Sequence, residues 1–233
     1  MKTIRTSTGP FFERPHFKPG EIERLCTKEL RDAGLYPSTP DAIRIDRFLE
    51  KRFRISPSYE RLPEGVLGFT RFGAEGVVEI IVSSDLDGDK GTPNERRLRT
   101  TLAHEAGHGL CHAHLFSLGA KPSSLFNDTD ESPQILCRDV AGEAQGHPAY
   151  DGRLWEYQAN QAIGGLLMPR RLVLDALQAL AIPAGSFGQI RIPEDKKPIV
   201  VRSLADIFNV NPTVVRIRLA EMFPAHDDQQ LQL

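Results

Sequence analysis

The sequence has few cysteines, no marked excess of either charge and no long apolar run. Its three cysteines, Cys26, Cys111 and Cys137, form no C-x-x-C pair. An odd, scattered set argues against a disulfide framework and against a zinc site closed by cysteines; it points to a reducing compartment, by default the cytoplasm. The 29 Lys and Arg against 31 Asp and Glu leave a net charge of −2. That balance gives no broad electrostatic footprint for nucleic acid or an anionic membrane. No apolar run approaches the roughly eighteen residues of a membrane span. The opening MKTIRTSTGPFFERPHFKPG lacks the continuous apolar stretch of a secretory signal. Internal repeats and low-complexity tracts are absent as well. With 40% apolar and 26% charged residues, the 233-residue chain is able to bury a core as one large domain, with or without a small appendage.

Local pattern supplies the elements. Residues 1–20, rich in Pro, Gly and aromatics, read as an irregular arm. A helical rhythm in Ile22, Leu25, Cys26 and Leu30 predicts a helix over 19–33 that stops at Gly34. In STPDAIRIDRFLEKRF, Thr39 is a candidate cap and Pro40 suits the first turn of a second helix, with Ala42, Ile45, Phe48 and Leu49 on its apolar face. The period then changes. GVLGFTRFG and GVVEIIVSS are β-prone runs joined by Ala74-Glu75-Gly76, the pattern of a hairpin. Next, DLDGDKG carries alternating aspartates, but the twelfth position counted from Asp85 is Arg96 rather than glutamate, so an acidic turn is favoured over a calcium loop.

Thr92, Pro93 and Glu95 are the start signals of a helix running to about His114. It contains TLAHEAGHGLCHAH, in which His104, Glu105 and His108 form H-E-x-x-H. Chance produces that pattern in a chain of this length about once in a hundred tries. Helical geometry puts His104 and His108 about 40° apart and one turn along, so both imidazoles reach one ion. Glu105, turned to the side, suits a general base that takes a proton from water while the metal polarises a carbonyl. His108 and His112 are a rival pair of the same spacing, but Gly109 stands where the carboxylate should follow. His112 and His114 read as supporting or surface groups, and Cys111 as a small buried apolar residue.

A catalytic zinc usually takes a third protein ligand and keeps one open position. The candidates are Asp139, Glu143, His147, Asp151 and Glu156. Only Glu156 lies in a strong helical pattern, WEYQANQAIGGLLMP, where Asn160 is one turn further on the same face and is placed to hold a ligating histidine. Ala159, Ala162, Gly164 and Gly165 are small enough to let this helix pack close to the first. H-E-x-G-H followed by E-x-x-A-N and L-L-M-P resembles the ImmA/IrrE family of zinc metallopeptidases. The resemblance implies His104, His108 and Glu156 as ligands of one zinc ion, Glu105 as general base, and a role for His112. It is sharp over 101–112 and 155–169 and looser over about 40–222. Two features depart from the family: 47 residues (109–155) separate His108 from Glu156, and Ala162-Ile163 replaces Phe-Ala. No motif identifies an oxyanion stabiliser; Tyr150, Tyr157 and His147 are the candidates.

The expected fold is α+β. A small antiparallel sheet lies beside a zincin-like helix pair in a domain over 21–170, with 117–152 as an inserted loop carrying a short helix at about 135–143. A helical subdomain over 171–223 with a helix-turn-helix-like pair follows, and 224–233 form a tail. The resemblance implies an endopeptidase acting on a regulatory protein, such as a helix-turn-helix repressor or an antitoxin-like partner. The alternatives are a DNA-binding regulator with a structural metal and a toxin-system component that works by binding. For the first, Arg202, Arg216 and Arg218 against Asp206 and Glu221 make one net positive charge, which is thin for phosphate binding.

Overall fold

In the computed structural model, residues 2–5, 13–73, 75–87, 92–117, 134–138, 153–180 and 192–224 are described. The 19–33 expectation holds closely. Helix α1, Pro19–Asp32, buries Ile22, Cys26 and Leu30, which recur every four residues. Pro19 opens it, the Glu21 carboxylate accepts the Lys18 N–H at 2.8 Å, and Gly34 ends it in the left-handed region at φ +64°. The arm contains two short strands, β1 (Lys2–Arg5) and β2 (Glu13–His16), paired antiparallel, where an irregular course was expected.

The second helix starts later than its cap signal. Helix α2 is Ile45–Phe53, and Thr39 does not cap it. A tertiary contact outweighs the local signal here: the Ile43 carbonyl accepts from Arg99 Nη2 at 2.8 Å, and Ile43 itself is fully buried. That bond holds the chain out of helix ahead of Ile45.

Strands β3 (Ser58–Glu60), β4 (Val66–Gly73) and β5 (Gly76–Ser83) follow, and β4 and β5 form the expected hairpin. A fourth strand, β6 (Gln134–Arg138), completes a sheet of order β3-β5-β4-β6. Two expectations are corrected. The sheet is mixed rather than antiparallel, because β3 runs parallel to β5. Residues 134–138 form a strand rather than the start of a helix, pairing antiparallel with β4. The open edge of β4 presents backbone groups that need partners, and Gln134–Arg138, with Ile135, Leu136 and Cys137 between polar ends, supplies them. The rest of 117–152, beyond Ser117 and β6, lies outside the described residues, as do 225–233. The acidic turn begins with a short 3-10 helix, Ser84–Leu86.

Helix α3, Pro93–Ser117, opens where its signals stand, with Thr92 Oγ1 accepting the Glu95 N–H at 3.3 Å. It lies between β4 and β5 on one side and helix α4, Arg153–Leu167, on the other. Helices α5 (Arg170–Ala179), α6 (Lys197–Phe208) and α7 (Pro212–Met222) complete the fold. One continuous core joins Ile22, Phe48, Leu102, Leu166, Leu172, Phe208 and Leu219, so the C-terminal helices share it with the rest. No helix among the described residues is long and apolar enough to cross a membrane.

Two arginine clusters fasten the C-terminal helices. Asn209 ends α6 in the left-handed region (φ 49°). Arg99 Nε donates to its carbonyl at 3.0 Å and Arg96 Nε to its side-chain oxygen at 3.2 Å. Arg218 of α7 is buried: Nε donates to the Met168 carbonyl at 3.1 Å, the guanidinium pairs with Glu23 of α1, and its stem fills the space beside Gly164. Replacing it with methionine keeps the packing and removes the charged hydrogen bonds. Arg218→Met is expected to lower stability by about 1.5–3 kcal/mol, read as a lower urea midpoint with an unchanged slope; an unmoved midpoint would show that the link holds nothing.

Candidate metal centre

A third donor beside the two histidines comes from far along the chain. The side-chain donors of His104, His108 and Glu156 all lie within 4.8 Å of one another. His104 Nε2 is 2.9 Å from His108 Nε2 and 3.1 Å from Glu156 Oε2, and His108 Nε2 is 3.5 Å from Glu156 Oε1. Three donors each about 2.0–2.2 Å from a tetrahedral ion would stand about 3.3–3.6 Å apart, so small adjustments would fit the set to one cation. Both histidines are buried and the Glu156 side chain is 40% exposed, which leaves one side of the cluster open to solvent. Two imidazoles and a carboxylate, with room for a further ligand, are the donor set of a metal site that does chemistry.

The histidines are held by their other nitrogens. His104 Nδ1 is 3.0 Å from Asn160 Oδ1, as the helical spacing implied. An amide oxygen only accepts, so the proton is on Nδ1 and the Nε2 lone pair faces the cluster. His108 Nδ1 is 3.0 Å from His112 Nδ1, so His112 supports His108 directly. Burial, then the neighbouring His104 and His112 rings, hold the His108 pKa well below the ordinary imidazole range. It is therefore neutral at pH 7, as a ligand must be.

Glu105 is fully buried on the side of α3 that faces the sheet. Thr70 Oγ1, from β4, donates to its Oε2 at 2.6 Å. The sequence does carry a signal for Thr70: on a strand, Gly68, Thr70 and Phe72 share a face, and Thr70 is the polar residue at a fully buried position there. Gly68 on the same face has no room for a Cβ, which would stand 3.0 Å from Thr101 of α3.

Glycines set the helix spacing. A Cβ on Gly107, the G of H-E-x-G-H, would be 2.8 Å from the Ala162 Cβ and 3.0 Å from the Ala159 backbone. Ala159 and Ala162 therefore do let α4 approach α3, as their size suggested. Gly164 and Gly165 do not serve that contact: Gly164 faces Arg218, and Gly165 faces Cys26 of α1.

The other candidates fall away from the cluster or outside the described residues. His114 is part-buried and meets Phe17 edge-on, with ring centroids 6.4 Å apart. Cys111 is buried, which pushes its thiol up to about 12 and leaves it a packing residue. Tyr157 is 45% exposed. Asp139, Glu143, His147, Tyr150 and Asp151 lie outside the described residues. No family model matches the chain, and no curated protein matches it.

Two outcomes follow from this packing. Gly107→Ala gains about 0.5–1 kcal/mol of helix propensity, but the clash with α4 backbone is expected to cost about 1–3 kcal/mol, so thermal unfolding should move down; a rise would mean that the helices have slack. The second concerns acid. A histidine whose pKa is depressed on folding leaves stability unchanged above the unfolded value near 6.5, and stability falls as pH drops below it because only the unfolded chain takes the proton. Metal-free protein should therefore unfold at lower urea as pH goes from 7.5 to 5.5; a flat profile contradicts a buried, neutral His108.

Proposed function

We propose that this chain is a zinc-dependent endopeptidase of the ImmA/IrrE type, with a zincin-like site on α3 and α4. The single observation that carries the reading is that Glu156, separated from His108 by 47 residues, reaches both Nε2 atoms of H-E-x-x-H. A lone motif on a helix has no reason to recruit a carboxylate from a second helix. The donor set of imidazole and carboxylate suits zinc, and His104, His108 and Glu156 would hold it. Bound there, the ion would acidify a water and polarise a peptide carbonyl.

Glu105 supplies the base. Its carboxylate, one residue on from the ligand His104, is anchored by the Thr70 hydroxyl, which fixes one oxygen and with it the plane of the group. Proton transfer needs that fixed geometry more than it needs a strong base. The substrate class is a specific regulatory protein, a helix-turn-helix repressor or an antitoxin-like partner. A DNA-binding reading loses ground because Arg218, one of its three arginines, is buried in a salt bridge and offers no charge to phosphate. The exposed Arg202 and Arg216 are then matched by Asp206 and Glu221.

The test uses purified protein and its cognate partner. Zinc is expected near one per chain and lost with His104→Ala. Glu105→Gln keeps an acceptor for Thr70 and so keeps the fold, while cleavage falls by about 10²–10⁴-fold. Full activity in Glu105→Gln would refute a peptidase.

A further inference from the structure

Gln158 belongs to neither the motif nor the ligand set, yet its side chain is 2% exposed and touches the cluster through His112. The contacts form a chain. Gln158 Oε1 is 3.0 Å from His112 Nε2, His112 Nδ1 is 3.0 Å from His108 Nδ1, and His108 Nε2 faces His104 and Glu156. The Trp155 ring lies against the His112 ring, with centroids 4.7 Å apart, and limits its rotation.

Each proton in this chain is determined by the one before it. An amide oxygen only accepts, so His112 must carry its proton on Nε2. Neutral His112 then has its lone pair on Nδ1 and accepts from His108 Nδ1–H. His108 is left with a lone pair on Nε2, aimed where a cation would bind. The reversed amide would run the series the other way and place an N–H on His108 Nε2, blocking that position. Gln158 Nε2 is buried with no hydrogen-bond partner among the described residues. An orphaned amide N–H₂ is a cost to folding, and a leucine or methionine would fill the site without it. Packing therefore does not explain why a glutamine stands here.

We propose that Gln158 is a positioning residue that sets the tautomer of His108, two imidazoles away, and so keeps the metal-facing nitrogen a ligand. The proposal rests on the metal-centre reading and is independent of what is cleaved.

Zinc affinity of the full chain, measured by competition with a chromogenic chelator, tests it. Gln158→Leu is expected to bind zinc about 10–100-fold more weakly. Gln158→Glu, whose ionised carboxylate offers the His112 Nε2–H an acceptor, should restore most of the affinity. Long-range proton–nitrogen NMR on the wild-type protein supplies a readout that needs no variant: His112 should be protonated on Nε2, with zinc or without, and His108 on Nδ1 in the zinc-free chain. Wild-type affinity in Gln158→Leu, a glutamate variant no better than leucine, or a proton on His108 Nε2 in the zinc-free protein would each overturn the assignment. A wild-type protein that binds no zinc removes the metal centre and this role together. Zinc binding with the expected tautomers but no cleavage would sink the peptidase and leave Gln158 in place.

Discussion

The contact of α3 with α4 at Gly107 is the constraint on which the site depends. A Cβ there would overlap both Ala162 and the Ala159 backbone, so the helices meet at a separation that only glycine against alanine permits. Four polar contacts of the cluster span that crossing: His104 to Asn160 and Glu156, His108 to Glu156, and His112 to Gln158. Three of these contacts are 3.0–3.1 Å long, near the outer end of the ordinary hydrogen-bond range, and the fourth is 3.5 Å. An α4 displaced by the width of a methyl group would lose all four. The opposite face of α3 is constrained in the same way, since Gly68 lets β4 come close enough for Thr70 to bond Glu105.

What the sequence disclosed follows from the range of the forces involved. His104, Glu105 and His108 were legible because helical periodicity alone brings them together, and Asn160 because it repeats Glu156 one turn on. The hairpin over β4 and β5 and the ends of α1 were legible for the same local reason. The late start of α2 was not, because a bond from Arg99 to Ile43 decides it from another element. Strand β6 was misread since its cause is the open edge of β4, which no local pattern records. Gln158 lies two residues from Glu156, about 200° around the helix, and periodicity points it away from the ligand face. By propensity Gly107 is a cost to the helix; its reason is the neighbouring helix.

The C-terminal helices bear on the site indirectly. Arg96 and Arg99 project from α3 near its start, about two turns before His104, and clamp the turn between α6 and α7. Arg218 then ties α7 to the end of α4 and to α1. Both α3 and α4 are therefore braced by the same pair of C-terminal helices, one near its beginning and the other near its end. The helix-turn-helix-like pair packs into the shared core, with Arg218 buried and Arg202 and Arg216 exposed.

The cluster also carries an electrostatic argument about its occupant. Thr70, His104, Glu105, His108, His112 and Gln158 are all at most 3% exposed, an unusual density of polar groups for a core. Two imidazole nitrogens 2.9 Å apart need either a shared proton or a cation between them. A proton makes one ring an imidazolium, and burial with two neighbouring rings opposes that charge on His108. A divalent ion meets the same lone pairs while also drawing in the Glu156 carboxylate, which neutralises part of its charge. The fold stabilises the neutral tautomers through Asn160 and His112 rather than a proton in the gap. The donor set is thus suited to a cation, and binding one would return free energy that arranging these buried groups costs.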